Sequence, residues 1–277
     1  MKKIVVLFFM YLVSTNPSPA QVSIPLYETI PNSKASINKE KADSANGSIR
    51  ITQVSIPALT IYKPAVGSVK STAVVICPGG GYGMVAAGHE GFDIAKVFNE
   101  WGVAAFVVKY RLPDDGIMVD KSIGPLQDAQ RAIQLVRQNA AQWNVDPDKI
   151  GIMGFSAGGH LASTASTHFD KAVIDNPGNI SLRPDFSILI YPVISFTDSI
   201  AHKGSRNNLI GKDPSAEKIK EYSNELQVTP KTPPAFLVHA KDDGAVKYEN
   251  SVRYYEALIK NKVPAELRLY ERGGHGF

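Results

Sequence analysis

Apolar positions along this chain fall into short unbroken runs, separated by longer stretches with a three-to-four-residue rhythm. Ala73 to Cys77 and Val103 to Val108 are continuous runs, the pattern of strands covered on both faces. Ile150 to Met153, Phe186 to Tyr191 and Ala235 to Ala240 read the same way, the second stopped by Pro192. Leu126, Ala129, Ile133, Val136, Ala140 and Trp143 recur at helical spacing, with Gly124-Pro125 ahead of them and Asp146-Pro147-Asp148 beyond. Glu90 to Trp101 and Tyr248 to Lys260 predict two further helices, and Glu266 to Tyr270 a last strand. Ile49 to Val54 and Leu59 to Tyr62 have the β-branched content of two early strands, with Pro57 in the turn between them. Strands alternating with helices predict an α/β fold, a mostly parallel central sheet with helices on both faces. Residues 48–277 read as one domain without internal repeats. Within it, the polar stretch 193–233 reads as a partly helical insertion over one end of the sheet.

The start of the chain has a different character. Lys2-Lys3, the apolar run Ile4 to Val13 and Ser18-Pro19-Ala20 ahead of Gln21 predict a secretory signal over residues 1–20. That run is too short for a bilayer core of roughly 30 Å, and no other stretch is long enough. Export to the periplasm or medium without a membrane span is therefore expected. Residues 21–47 are rich in Ser, Asn, Lys and Pro and predict a mostly irregular arm, with Ile24-Pro25-Leu26-Tyr27 docking on the body. At 277 residues and 44% hydrophobic, the chain suffices for one large core. Lys and Arg number 30 against 26 acids. Without Lys2 and Lys3 the excess is two, a balance that does not point to nucleic acid as a partner. The single cysteine, Cys77, ends an apolar run and reads as a buried small hydrophobe. No Cys or His cluster has metal-ligand spacing.

Candidate chemistry begins where an apolar run passes through Gly154-Phe155-Ser156-Ala157-Gly158-Gly159 into the helical Leu161-Ala162-Ser163. A strand, a sharp turn tipped by serine and a helix require small residues two positions either side of the serine, here Gly154 and Gly158. Alone, the pattern also fits a glycine-rich turn with an incidental serine. Pro78-Gly79-Gly80-Gly81-Tyr82 lacks the spacing of a nucleotide-binding loop. It reads either as a flexible turn or as free N–H donors for an oxyanion. Two more loops at strand ends carry Lys241-Asp242-Asp243-Gly244 and Gly273-Gly274-His275-Gly276. A serine nucleophile needs a base, and the base needs a carboxylate; Ser, Asp, His is the order used by α/β-hydrolases. Of six histidines, His275 alone follows the last strand. His160 shares the helix of Ser156 and His239 lies inside a strand, so both read as structural. His89, His168 and His202 sit on connections of open geometry. Asp243 is preferred to Asp242 because Val246, three residues on, anchors the turn and directs the carboxylate inward. A turn or helix-capping role for either acid is the alternative.

With P-G-G-G-Y at 78–82, Tyr110-Arg111-Leu112-Pro113, D-A-Q-R-A-I at 128–133, G-F-S-A-G-G-H-L-A at 154–162 and the closing G-G-H-G-F, a resemblance emerges. From about Ser55 to Phe277 the chain resembles bacterial acetyl-xylan esterases and related carbohydrate esterases of the α/β-hydrolase fold. The resemblance implies Ser156 as nucleophile, Asp243 as acid and His275 as base, with Gly80, Gly81 and Ala157 donating N–H groups to the oxyanion. It implies removal of acetyl or similarly small acyl groups from hemicellulose such as acetylated xylan. No cofactor or metal is required, and the partner is the acylated polysaccharide. Feruloyl esterases, prolyl-peptidase-like hydrolases and catalytically silent carbohydrate-binding relatives are the competing readings on this fold. Acyl preference, glycan preference and oligomeric state are not legible. Two departures stand out. Pro78 occupies a position where many relatives of this fold have histidine, which leaves the backbone donors intact. Gly276 and Phe277 alone follow His275, where the resemblance implies a final helix. His275 is therefore expected to be mobile or displaced, unless Phe277 docks into the core and anchors its loop.

Overall fold

The computed structural model describes residues 22–45, 48–63 and 70–277, so the signal sequence expected at 1–20 lies outside the described residues. The first half contains β1 (Val22–Pro25), β2 (Lys41–Ala45), β3 (Ser48–Thr52), β4 (Ala58–Tyr62), β5 (Ser71–Cys77), β6 (Met84–Val85), α1 (Asp93–Glu100), β7 (Ala104–Lys109) and α2 (Gly124–Gln138). The second half contains β8 (Val145–Phe155), α3 (Ser156–Thr167), β9 (Ser187–Ile190), α4 (Lys203–Ile210), α5 (Ala216–Glu221), β10 (Ala235–Ala240), α6 (Glu249–Lys260) and β11 (Ala265–Tyr270). A π-helical turn, Gly88–Phe92, leads into α1.

Eight strands form one sheet in the order β1-β4-β7-β5-β8-β9-β10-β11. β1, β4 and β7 pair antiparallel, and every step from β7 onward is parallel. The chain leaves β5 on one side for β7 and returns on its other side for β8. Strand order thus reverses at β5, the place where parallel sheets open a crevice at their carboxyl ends. Alternation along the strands divides the core between the two faces. Val75, Cys77, Phe106 and Ile152 pack with α2, α3 and α6, while Val74, Ile76, Ala105, Val107 and Met153 pack with Ala95 of α1.

Several boundaries differ from the sequence pattern for local reasons. α2 stops at Gln138 because Asn139 turns its side-chain amide back onto the Leu135 carbonyl at 2.8 Å. Ala140 and Trp143 remain buried, but on turns. β8 starts earlier than its apolar run. Val145 pairs with Ser71 and Ile150 with Ala73, so residues 146–149 bulge out and Pro147 needs no ladder partner.

The arm expected to be irregular supplies two strands. β1 pairs with the β4 edge, Val22 opposite Ile61, and β2 pairs with β3 in a second sheet, β2-β3-β6. Both are short edge strands held by main-chain pairing; β1 (Val22-Ser23-Ile24-Pro25) is too short for its pattern to stand out, and the polar β2 has none. The arm is also fastened from the body. Leu26 is buried, its N–H donates to the Pro57 carbonyl, and its own carbonyl accepts from Arg131. Arg111, fully buried in a pair with Asp128, donates to the Pro31 carbonyl at 2.7 Å. The Y-R-L-P and D-A-Q-R stretches are therefore joined to each other and to the arm. No helix among the described residues is long and apolar enough to cross a membrane.

Candidate active site

β8 ends at Phe155 in extended backbone, and the next residue, Ser156, opens α3 at φ +52°. A left-handed L-residue costs roughly 1–2 kcal/mol, and it reverses the chain so abruptly that α3 lies directly against the strands. A Cβ on Gly154 would stand 2.1 Å from the Gly158 carbonyl oxygen, and one on Gly158 only 2.0 Å from that of Cys77. Both positions are therefore restricted to glycine by close backbone approach. Ser156 is 6% exposed at this turn.

Its Oγ lies 3.0 Å from His275 Nε2, and His275 Nδ1 lies 2.7 Å from Asp243 Oδ2. The carboxylate can only accept, so Nδ1 carries the proton and Nε2 is left to accept from the serine hydroxyl. Asp243 is buried on the turn after β10, its Oδ1 accepting the N–H groups of Ala245 and Val246 at 2.9 and 2.8 Å. Val246, 1% exposed, is the apolar anchor of that turn. Burial pushes the Asp243 carboxyl up, but hydrogen bonds from His275, Val246 and Ala245 outweigh it and hold the group below the ordinary carboxylate range.

His275 is in place, contrary to the displacement expected for a loop so near the chain's last residue. Phe277 is not a buried anchor either. It is 49% exposed and touches Tyr191 and Tyr270 edge-on. The loop is held by Asp242, whose Oδ1 accepts from Gly273 at 2.9 Å and Gly274 at 2.8 Å, and by the Tyr191 ring, 4.8 Å from the His275 ring.

Beyond β5, Gly80, Gly81 and Tyr82 all have positive φ, +121°, +64° and +61°. The Gly80 carbonyl accepts from Gly83 and Met84, whereas the Gly80 and Gly81 N–H groups donate to nothing among the described residues. The loop abuts the serine: a Cβ on Gly79 would stand 2.9 Å from Ser156 Cβ. Ala157 adds a first-turn helix N–H, which has no acceptor within the helix. The glycine loop and the start of α3 thus meet at the serine, and both carry N–H groups of the kind a tetrahedral oxyanion needs.

Four groups that sequence reasoning did not assign to the site support it. Glu90, on the π-helical turn, is buried and accepts from Gly79 N–H at 2.7 Å and from Tyr191 Oη at 3.0 Å. One carboxylate thus ties the glycine loop to the tyrosine that packs on His275. Asn208 of α4 donates to the Gly81 carbonyl at 2.8 Å, fixing the loop from above. Asp242 clamps the His275 loop. His239 faces the Asp243 carboxylate instead of filling the core alone: its Nε2 lies 3.2 Å from Asp243 Oδ2 and 3.0 Å from the Val246 carbonyl. Both acceptors place the proton on Nε2, leaving Nδ1 to accept from Ser251 at 2.8 Å. His160 points away from Ser156, between Tyr82 Oη and the Tyr222 carbonyl, and stacks on Phe196. His202 caps α4 beside Gly81. Burial lowers its pKa, His275 adds to that, and Asp243 opposes it.

A family model, BD-FAE, matches residues 59–258. The chain belongs to the BD-FAE family. This BD-FAE chain is 41% identical over 209 residues to an acetylxylan esterase of Xylanibacter ruminicola, covering 74% of the chain and 41% of that protein. It is 40% identical over 210 residues to endo-1,4-beta-xylanase B of Butyrivibrio fibrisolvens, covering 75% and 33% respectively. The chain thus spans less than half the length of either relative. Among solved structures it is similar to an acetyl ester-xyloside bifunctional hydrolase from Caldicellulosiruptor lactoaceticus, with a TM-score of 0.79, 37% identity, and coverage of 95% of this chain and 90% of that one. The BD-FAE chain has the α/β-hydrolase fold, and the acetylxylan esterase and the acetyl ester-xyloside hydrolase it resembles are ester hydrolases by name.

Proposed function

We propose that this chain is a serine carboxylic ester hydrolase that removes acetyl or other short acyl groups from hemicellulose such as acetylated xylan. The observation that carries the reading is the Ser156–His275–Asp243 chain of hydrogen bonds, bordered by the unpaired N–H groups of Gly80 and Gly81. Ser156 Oγ attacks the ester carbonyl while His275 Nε2 takes its proton. Asp243 holds the ring in that tautomer and stabilises the imidazolium. The carbonyl oxygen becomes an oxyanion on the N–H groups of Gly80, Gly81 and Ala157, each such donor contributing on the order of 3 kcal/mol in a site of this kind. Collapse expels the sugar hydroxyl, protonated by His275, and leaves an acyl-serine. Water activated by His275 then releases the carboxylic acid and restores the serine.

The acetylxylan esterase relative supports acetylated xylan as the substrate class. The signal-like residues 1–20 support export to the compartment where polymeric hemicellulose is met. Acetate release from acetylated xylan, measured beside ferulate release from a feruloylated glycan, tests the assignment. Acetate release that Ser156→Ala abolishes supports it; ferulate release without acetate release overturns the acyl preference. An exported protein whose first residue is Gln21 would support the export reading.

A further inference from the structure

A groove of about 590 Å³ opens beside the glycine loop and is not used by the chemistry above. Five separate segments wall it. Tyr82 and Gly83 continue the glycine loop, Asn208 reaches over from α4, and Leu112 and Pro113 follow β7 at the same carboxyl edge of the sheet as Ser156. The other two walls are Gln53 to Ser55, between β3 and β4, and the arm, with Ile37 and Lys39. Because Asn208 lines the groove and also donates to the Gly81 carbonyl, the groove begins where the oxyanion loop ends.

We propose that this groove binds the neutral sugar units that flank the acylated one in the glycan chain. The inference rests on the esterase reading above and names where the remainder of its substrate lies. Pockets of roughly 300–1,000 Å³ take ligands of drug size, and this one has room for about two pyranose rings. Its wall is fixed beforehand, because the arm is laced to the loop beyond β7. Lys34 N–H donates to the Ile117 carbonyl at 2.8 Å, Val119 N–H donates to the Asn32 carbonyl at 3.0 Å, and Ser33 bridges Met118. A preformed wall avoids ordering a loop on binding.

The chemistry of the lining suits a polyhydroxylated ring. Leu112 and Pro113 supply aliphatic surface for C–H faces, and Ile37 stands 80% exposed on the arm. An isoleucine so exposed on a fixed wall is unused by the fold. Ser36, Lys39 and Gln53 offer a hydroxyl, an ammonium and an amide, none with a partner among the described residues. Gln53 sits at φ +54°, which buries its neighbour Val54 fully and leaves the Gln53 side chain exposed at the groove. That backbone presents the Gln53 amide to the groove, and strained residues cluster at ligand sites. Charge decides between neutral and acidic sugars. Lys39 and Lys121 are matched by Asp114 and Asp115, with Lys121 already 2.8 Å from Asp115, so the groove holds no surplus positive charge for a uronate.

Two variants on exposed wall positions test this, Gln53→Gly, which suits the left-handed backbone, and Ser36→Trp, which fills the groove. The reading is the ratio of kcat/KM for acetylated xylo-oligosaccharides to kcat/KM for p-nitrophenyl acetate. A fall of at least tenfold, carried by KM of the oligosaccharide, is expected; an unchanged ratio in both variants overturns the proposal. Calorimetric titration of unacetylated xylotetraose into the wild-type chain and Ser36→Trp is independent of ester chemistry. Binding to wild type that Ser36→Trp weakens at least tenfold supports the groove even if no acetate is released, an outcome that would sink the esterase reading alone. Binding that Ser36→Trp leaves intact, or no binding to either, overturns the groove while acetate release leaves the esterase reading standing.

Discussion

Asp242 Oδ1 accepts the N–H of Gly273 at 2.9 Å, so the acid adjoining Asp243 holds the loop that presents His275. The two neighbouring carboxylates thus divide the work: Asp243 orients the imidazole ring, and Asp242 holds the backbone beneath it. Asp243→Asn is expected to lower kcat by roughly 10⁴, because an amide facing Nδ1 favours the wrong tautomer. Asp242→Asn keeps an acceptor oxygen and should cost little. Asp242→Ala removes it and is expected to lower kcat about tenfold as His275 loses its position. Steady-state kinetics on a small aryl ester rank the three, and equal losses for the two asparagine variants would overturn this division.

Glu90 joins the two halves of the site, and its loss should register in kcat more than in KM. In Glu90→Leu the Gly79 N–H and the Tyr191 hydroxyl are left without the acceptor they now share. Each buried group so stranded costs about 1–3 kcal/mol, and the donors on Gly80 and Gly81 lose their registration. A fall in kcat of at least tenfold is expected, with KM within a few-fold of wild type. Glu90→Gln can still accept from Gly79 with Oε1 while its amide meets the Tyr191 oxygen, so it should recover most of the rate. A Gln variant as impaired as the Leu variant would contradict this account.

Legibility in the sequence tracked how local the physics was. The Ser156 turn was readable because Gly154 and Gly158 stand two positions either side of the serine, although the contact that forces Gly158 comes from Cys77, far away in the chain. Asp243 was separable from Asp242 only because Val246 lies in the same turn. Glu90 was invisible, since its two partners sit 11 and 101 positions away and meet only in the folded sheet. The clamp by Asp242 was equally hidden, being 31 positions from Gly273; counting only the residues after His275 therefore predicted a loose end. The arm strands were missed for a different reason. Main-chain pairing at an edge makes no demand on side-chain pattern, and Lys41 to Ala45 offers none.

His160 predicts a pH dependence of stability. Burial drives its pKa down to about 4, against about 6.5 in an unfolded chain. The unfolded state therefore binds more protons between these values, so stability falls as pH drops from about 6.5 to about 4 and levels off below. The contribution amounts to about 3 kcal/mol across that window. Replacement by Gln, which can accept from Tyr82 and donate to the Tyr222 carbonyl, removes the titration. Thermal midpoints measured from pH 7 to pH 4 should fall less steeply for His160→Gln than for wild type. Parallel curves would show that His160 is not the group responsible.

Ser156 itself should reveal that the turn stores strain. Both Ser156→Ala and Ser156→Gly remove the hydroxyl and are expected to lose at least a thousandfold of ester hydrolysis, since members of such a triad act as a unit. Their stabilities should differ. Alanine keeps a Cβ at φ +52° and bears the left-handed cost, whereas glycine adopts that backbone without it. The opposing effect is the greater freedom of glycine in the unfolded chain, worth roughly 0.5–1 kcal/mol. The left-handed cost, about 1–2 kcal/mol, is the larger of the two. Ser156→Gly is therefore expected to be the more stable variant by about 0.5–1 kcal/mol in urea unfolding. An alanine variant that is equally or more stable would mean that packing around the turn, and not its backbone, sets the energy there.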